Sequence, residues 1–421
     1  MSGGPRALVI GAGIGGLTAA VALHQRGWQV SVHERAASLE PVGAAISIAP
    51  NGQRALDVIG LGDAVRDQIA WTAEGGIRRP DGRWLARTDA AAAAERFGGG
   101  LALVHRAHLV DLLRARLPRE AVHTGSAGRL LDPGEPAGPG RPGRPAVVAT
   151  ADGEREAELV VAADGVASPA RRLLFPDHPG PRYAGFTTWR LMADDPDGRL
   201  GDLPAHETWG SGALWGTHRL RDGRIYAYAA APAPAGARAP DDERRELLRR
   251  FGTWHAPIPA LIEDCPPRTV LRHDVYTFRR PLPAHHRGRT VLLGDAAHAM
   301  PPSLGQGGNQ AVEDAVVLAH HADPDTADHC PAPAAHTRDR LPRTTDVLRR
   351  SRRAGALTTV ANPLAVLARD TLTAAVSRLG PHLALRALDG VADWSPPGTA
   401  YPSPTAAGRS ENTDGRRPGR E

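Results

Sequence analysis

The stretch RALVIGAGIGGLTAAVALHQRGWQVSVHE, residues 6 to 34, decides how this chain folds. RALVI is an apolar run of strand length, GAGIGG a turn, LTAAVALHQRG a helix, and QVSVHE a second strand. Together they predict one βαβ unit, and with it a parallel sheet of the doubly wound kind. Within the turn, Gly11 permits the tight bend, Gly13 lets an anion approach bare backbone, and Gly16 lets helix and strand pack closely. Glu34 ends the second strand where an acid accepts from a ribose hydroxyl, which disfavours a 2′-phosphate there. The unit predicts dinucleotide binding; the competing reading is a glycine-rich turn beside a surface glutamate.

Two later stretches narrow the ligand. LVVAADGVASPARRLLF, residues 159 to 175, delivers Asp164 and Gly165 at the end of an apolar strand, with Ser168 and Arg171 at fixed offsets. Alone it is equally a strand ending in a turn. TVLLGDAAHAMPPSLGQGGNQAVEDA, residues 290 to 315, puts Asp295 after a strand, where a carboxylate can accept from a polyol such as a ribityl chain. Gly305, Gly307 and Gly308 with Asn309 then bare the backbone at the start of a helix over residues 310 to 320, whose positive end stabilises a developing anion. A nicotinamide has no ribityl chain; a flavin has one, and its ring becomes anionic on reduction. The object held is therefore read as a flavin. His298 is either a proton carrier or, as a histidine among small residues, a structural one.

The rest of the chain sets limits. At 421 residues it can bury two or three structural units. The charge of +5 is spread without an aromatic-basic stripe, which argues against nucleic acid. There is no lysine, so all 51 basic residues are arginines, and neither a pyridoxal Schiff base nor a P-loop lysine is available. Cys265 and Cys330 form no metal-ligand spacing, and a reducing cytoplasm fits them. Glycines interrupt the apolar run from Ala7 to Leu23 that would otherwise pass for a signal peptide, and no run reads as membrane-spanning. HRAHLVDLLRARL, residues 105 to 117, carries Leu109, Leu112 and Leu113 on one helix face. Asp132 to Pro145 is Pro/Gly-rich and is expected to be a long, mobile hairpin loop that cannot pack. Short alternating runs from Tyr183 to Ala231 predict an antiparallel sheet, a platform for substrate; DDERRELLRRFGTW predicts an amphipathic helix, and VLRHDVYTF resumes strand character.

Taken together, GAGIGG with HER, DGVASPAR, and GDAAHAMPPSLGQGGNQAVEDA resemble the motifs of the single-component FAD-dependent aromatic hydroxylases, the class A flavoprotein monooxygenases. The likeness covers roughly residues 6 to 355 and lies nearest the urate, hydroxynicotinate and salicylate hydroxylase branch. It implies an α/β fold: a Rossmann-type FAD-binding domain like that of p-hydroxybenzoate hydroxylase, an antiparallel-sheet substrate domain and C-terminal helices. The division expected is FAD-binding residues 1–72, 98–181 and 268–330, substrate residues 73–97 and 182–267, helices over 331–400 and a disordered tail over 401–421.

The resemblance also implies FAD as cofactor, NADPH or NADH as co-substrate, and O2 delivered to an electron-rich aromatic or polyketide-like small molecule through a flavin C4a-hydroperoxide. The alternative is a flavin-dependent epoxidase or oxidase acting on a bulky natural product. To the cofactor set of Gly11, Gly13, Gly16, Glu34, Asp164, Asp295, Gly305, Gly307, Gly308 and Asn309 it adds Ile14, Gly15, Arg35, Ser47, Arg106 and Pro302. Pro301 and Pro302 would form a rigid rim where substrate sits, and Arg171 is a candidate contact for the nicotinamide. Arg190, His206, Tyr226 and Tyr228 are pocket candidates that spacing does not rank, and no catalytic residue or metal ligand is assigned. Leu214 aligns with the arginine that grips substrate in urate members, a departure that argues against urate. The expected setting is a cytoplasmic monomer or homodimer without nucleic acid or integral membrane contact.

Overall fold

The computed structural model describes residues 4–39, 44–69, 74–138, 141–195, 198, 200–201, 203–326, 331–380 and 385–398. The tail expected over 401–421 and the second cysteine lie outside them.

The βαβ unit forms as read, with strand Arg6–Ile10, helix Ile14–Gln25 and strand Gln29–His33. These join a six-stranded sheet in the order His286–Arg287, Thr290–Leu292, Leu159–Ala162, Arg6–Ile10, Gln29–His33, Val122–His123. All its pairings are parallel except the short edge hairpin formed by the first two strands. The central strands are buried on both faces, which is why they read as continuous apolar runs. Ala7 and Val9 point into one core with helices Ile14–Gln25 and Gly307–His321; Leu8 and Ile10 point into the other, with Leu130, Val148 and the long C-terminal helix through Val347 and Leu348. This is the period of two that a strand imposes.

A second sheet has the order Leu271–Thr277, Arg182–Ala193, Ile225–Pro232, Leu214–Arg219, Ala205–Trp209, Glu74–Arg78, Trp84–Asp89. It is antiparallel apart from one parallel join, Ala205 opposite Gly75. One face packs Trp189, Leu191, Trp215 and Ala229 against helices Glu243–Phe251 and Ile258–Asp264. The opposite face is turned toward a two-stranded sheet of Ala45–Ile48 and Ala102–His105, with Tyr226 reaching Ala45.

Three expectations change. Leu271–Thr277, assigned by sequence to the nucleotide-type portion, pairs with Arg182–Ala193 and is the edge of the second sheet. The Pro/Gly stretch is not loose: its ladder continues through Glu135 opposite Arg144 and Gly138 opposite Arg141, and Arg289 donates to the carbonyls of Glu135 and Arg144 beneath it. The glycine-led helix begins at Gly307 rather than residue 310, because Gln306 already accepts from the Gln310 amide. Helices Pro331–Thr358 and Pro363–Arg378 complete the described chain. Among the described residues no helix is long and apolar enough to cross a membrane.

Candidate active site

The sheet register brings the three separated motifs to one edge. Ile10 stands opposite His33 and Ala162, and Ala162 opposite Leu292. Gly11, Glu34, Asp164 and Asp295 therefore leave four strands side by side at their carboxyl ends, where open α/β sheets bind ligands.

Each glycine of the first turn has a distinct reason to be there. Gly11 has φ +101°, and a Cβ on it would lie 2.5 Å from the Ala163 carbonyl oxygen. A Cβ on Gly16 would lie 2.0 Å from the Gly11 carbonyl oxygen. A Cβ on Gly13 would meet nothing within 4 Å. Gly13 instead opens onto a cleft of about 320 Å³ whose walls include Glu34, Arg106, Arg190 and His273. Gly15 does not belong to the cleft: its Cβ position is 2.6 Å from Leu293 and 2.9 Å from Ala311, so it is the contact that lets two helices touch. Ile14 puts its side chain in the core and offers only backbone. Glu34 accepts from the Ala12 amide at 2.8 Å and the Ala36 amide at 2.9 Å, which fixes its carboxylate against the glycine turn and leaves lone pairs for a further donor. Arg35 points to solvent.

Asp164 accepts from the Ala170 amide at 3.0 Å in the first turn of the Pro169–Leu174 helix, whose N-cap is Ser168. Its other oxygen is buried with no partner. Burial pushes this carboxyl above the usual range, against the pull of Ser168 and the Ala170 amide. An orphaned acceptor at this edge suits a ligand carrying hydroxyl or amide donors. Arg171, by contrast, is spent inside the protein: it donates to the carbonyls of Ala296 at 3.1 Å and Val166 at 2.8 Å, so it is not available to a nicotinamide.

Asp295 is exposed at the end of its strand and makes no hydrogen bond among the described residues. Desolvation by the surrounding protein raises its carboxyl, while His298, Arg106 and Arg190 pull it down. The Gly307 Cβ position is 4.0 Å from its Oδ1, so the carboxylate sits beside the first turn of the 15-residue helix Gly307–His321. The amides of Gly307, Gly308 and Asn309 have no acceptor within that helix and form a positive end. The Asn309 side chain is used up holding this turn: it accepts from the Ala49 amide at 3.0 Å and donates to the carbonyls of Ser47 at 3.1 Å and Gly305 at 2.8 Å. Only its backbone can meet a ligand. Gly308 packs on Ile46, and Gly305 (φ +62°) brings its Cα against Ser47 Oγ. Pro301 is buried and Pro302 exposed, at the start of the Pro302–Leu304 turn. Arg106 projects into the cleft with no partner among the described residues; burial and Arg190 work against its charge and Asp295 supports it.

The second sheet supplies the remaining wall. Arg190 stands opposite Tyr228, and Met192 opposite Tyr226, so these share the face toward the cleft. Tyr226 is 6% exposed and packs on Ala45 and Leu220. His206 lies on the other face: it stands opposite Thr217, which stands opposite Ala227, a residue of the helix-packed core. Burial pushes its imidazole down to about 4, and its Nδ1 faces the Pro204 carbonyl. His206 therefore leaves the set of pocket candidates. His298, read as either a proton carrier or a structural histidine, is buried with Nε2 on Asp314, which suits the structural reading. His218, Glu207 and His273 are on the cleft-side face and were missed; strand parity would have found them, given the register.

Comparison with known proteins gives concordant results. The family profile described as FAD binding domain matches residues 6–321. The chain is 39% identical over 320 residues to the aurachin C monooxygenase/isomerase of Stigmatella aurantiaca, covering 76% of this chain and 81% of that one. It is 36% identical over 327 residues to the FAD-dependent urate hydroxylase of Klebsiella pneumoniae, covering 74% and 80% respectively. The fold superimposes on the crystal structure of Klebsiella pneumoniae HpxO complexed with FAD and uric acid with a TM-score of 0.79 at 28% identity, over 92% of this chain and 97% of that one.

Proposed function

This chain belongs to the FAD binding domain family of class A flavoprotein monooxygenases, and from that premise we propose that it uses NADPH or NADH and O2 to hydroxylate a small aromatic molecule. When bound, FAD supplies hydride acceptance and O2 activation. The work of the protein is to hold that group, orient the substrate and keep water away.

The single observation that carries this reading is the meeting of Gly13, Glu34, Asp164 and Asp295 at one sheet edge beside the open amides of Gly307 to Asn309. We assign the pyrophosphate to Gly13 and the helix that follows it, a ribose hydroxyl to Glu34, and the ribityl chain to Asp295. The amides of Gly307, Gly308 and Asn309 would face the pyrimidine edge of the ring, where their partial positive charge favours an anion by about 1 kcal/mol. Arg106 and Arg190 add full charges to the same cleft. The sheet face bearing Arg190 and Tyr228 is the substrate side. Among the described residues the GxGxxG spacing joins a strand to a helix only at Gly11 to Gly16, so a nicotinamide would visit from the surface.

Purified protein should be yellow, and its NADPH oxidation should accelerate with one class among aromatic acids, purines and phenols. Protein that stays colourless and gains no flavin absorbance on adding FAD would reject the cofactor; one O2 and one NADPH consumed per hydroxylated product separates hydroxylation from an oxidase reaction.

A further inference from the structure

Four residues line up across the second sheet. Arg190 is in register with Tyr228, Tyr228 with Gly216, and Gly216 with Glu207, so all four lie on the cleft-side face of adjacent strands. The Tyr228 ring does not stand upright. A Cβ on Gly216 would fall 2.1 Å from its Cζ and 2.4 and 2.6 Å from its two Cε atoms, so the ring lies flat over that glycine. Its hydroxyl thereby reaches across a whole strand to Glu207, donating to Oε1 at 2.6 Å. Glu207 accepts a second bond from Trp209 Nε1 at 2.8 Å. Beside Tyr228, the His218 ring lies at 5.7 Å with an interplanar angle of 14°, which extends the flat surface. Arg190, His218, Tyr228 and Glu207 all keep part of their surface open.

The chemistry of this row is directional. Burial first, and then the Glu207 charge, hold the Tyr228 phenol well above its ordinary range, so it keeps its proton. That proton is committed to Glu207, which leaves the oxygen able only to accept from anything above it. Arg190 can only donate, and it has no partner among the described residues. The two groups stand at opposite ends of a flat aromatic floor.

Building on the monooxygenase reading above, we propose that Tyr228, laid over Gly216 and oriented by Glu207, determines specificity together with Arg190. The pair selects planar rings that carry an oxygen acceptor at one end and an O–H or N–H donor at the other. Methylating the donor removes the only bond that the Tyr228 oxygen can make to such a ring, and Gly216 is the residue that makes the arrangement possible.

The test uses the FAD-loaded enzyme and two probe pairs that differ only in the donor: 4-hydroxybenzoate against 4-methoxybenzoate, and 4-quinolone against N-methyl-4-quinolone. Dissociation constants are read from perturbation of the flavin spectrum. The wild-type enzyme should prefer the donor-bearing member of at least one pair by about tenfold, the value of one buried hydrogen bond. Tyr228→Phe should bring that ratio close to one, and so should Gly216→Ala, which displaces the ring without touching the hydroxyl. FAD content serves as the check on folding, and Tyr228→Phe stands alone should Gly216→Ala fail to load. A wild-type holoenzyme that distinguishes neither pair, or a Tyr228→Phe enzyme that keeps the preference, overturns the inference. Protein that takes up no FAD overturns instead the reading on which it rests.

Discussion

The Asp314 carboxylate, on the Gly307–His321 helix, lies 2.5 Å from His298 Nε2, fully inside the protein. Its oxygens also accept from the Gly294 amide at 3.1 Å and Arg340 Nε at 2.7 Å, so the turn that aims Asp295 hangs on this buried acid. Burial opposes its charge, but His298 and Arg340 outweigh it and hold the carboxyl well below its usual range. Asp314→Asn should cost about 3–5 kcal/mol, the price of leaving the buried Arg340 short of a counter-charge. Chemical denaturation of the FAD-free protein measures it, and an unchanged midpoint would show that the network does not stabilise the fold. Because the folded carboxyl is depressed, its contribution is complete above about pH 4 and is lost only in stronger acid.

A different pH window belongs to the histidines. His336 is fully buried, neither ring nitrogen has a partner, and burial pushes it down to about 4. The unfolded chain takes up this proton near pH 6.5, before the folded one does, so stability is full above that value and falls as pH drops toward about 4. His336 alone would account for about 3 kcal/mol across that window. Thermal melts at intervals from about pH 7 to pH 5 should show the decline. His336→Leu should make it shallower without loss at neutral pH, not abolish it, because His33, His206 and His218 are lowered to about 4 as well; an equally steep slope in that variant would count against this histidine.

The glycine turn allows a clean separation of fold from function. Gly13→Val places its side chain in open space, so the FAD-free protein should melt as the wild type does while flavin no longer binds. Gly16→Ala meets the Gly11 carbonyl oxygen at 2.0 Å and should cost stability before any ligand is added. Paired melts and FAD titrations decide this. Loss of stability in Gly13→Val, or an undisturbed melt in Gly16→Ala, would reverse the two assignments.

The fold was legible where local pattern and tertiary role coincide. RALVI, its turn and its helix formed as read because a buried parallel strand must be apolar on both faces and the turn must be glycine. What failed depended on partners far away in sequence. His206 and His218 are both strand histidines, and only the pairing of Thr217 with Ala227 puts one toward the helices and the other toward the cleft. Asn309 and Arg171 look like ligand contacts from their motifs, yet their side chains fasten loops whose carbonyls no linear reading locates. Gly216 carries no motif at all; its reason is the ring of a tyrosine on the next strand.

Asp295 separates a ligand's need from the protein's own. It makes no hydrogen bond among the described residues and its side chain stands open, so in the FAD-free protein no contact of the fold depends on its charge. Asp295→Asn removes that charge at constant shape, so the FAD-free variant should melt at or above the wild-type temperature. Its affinity for FAD should nonetheless fall by about tenfold or more, because a hydrogen bond to a charged acceptor is worth about 1.5–3 kcal/mol. Affinity falls while stability holds, which a purely structural carboxylate would not give. A variant that melts early, or one that binds FAD as tightly as the wild type, would place the ribityl contact elsewhere along the edge.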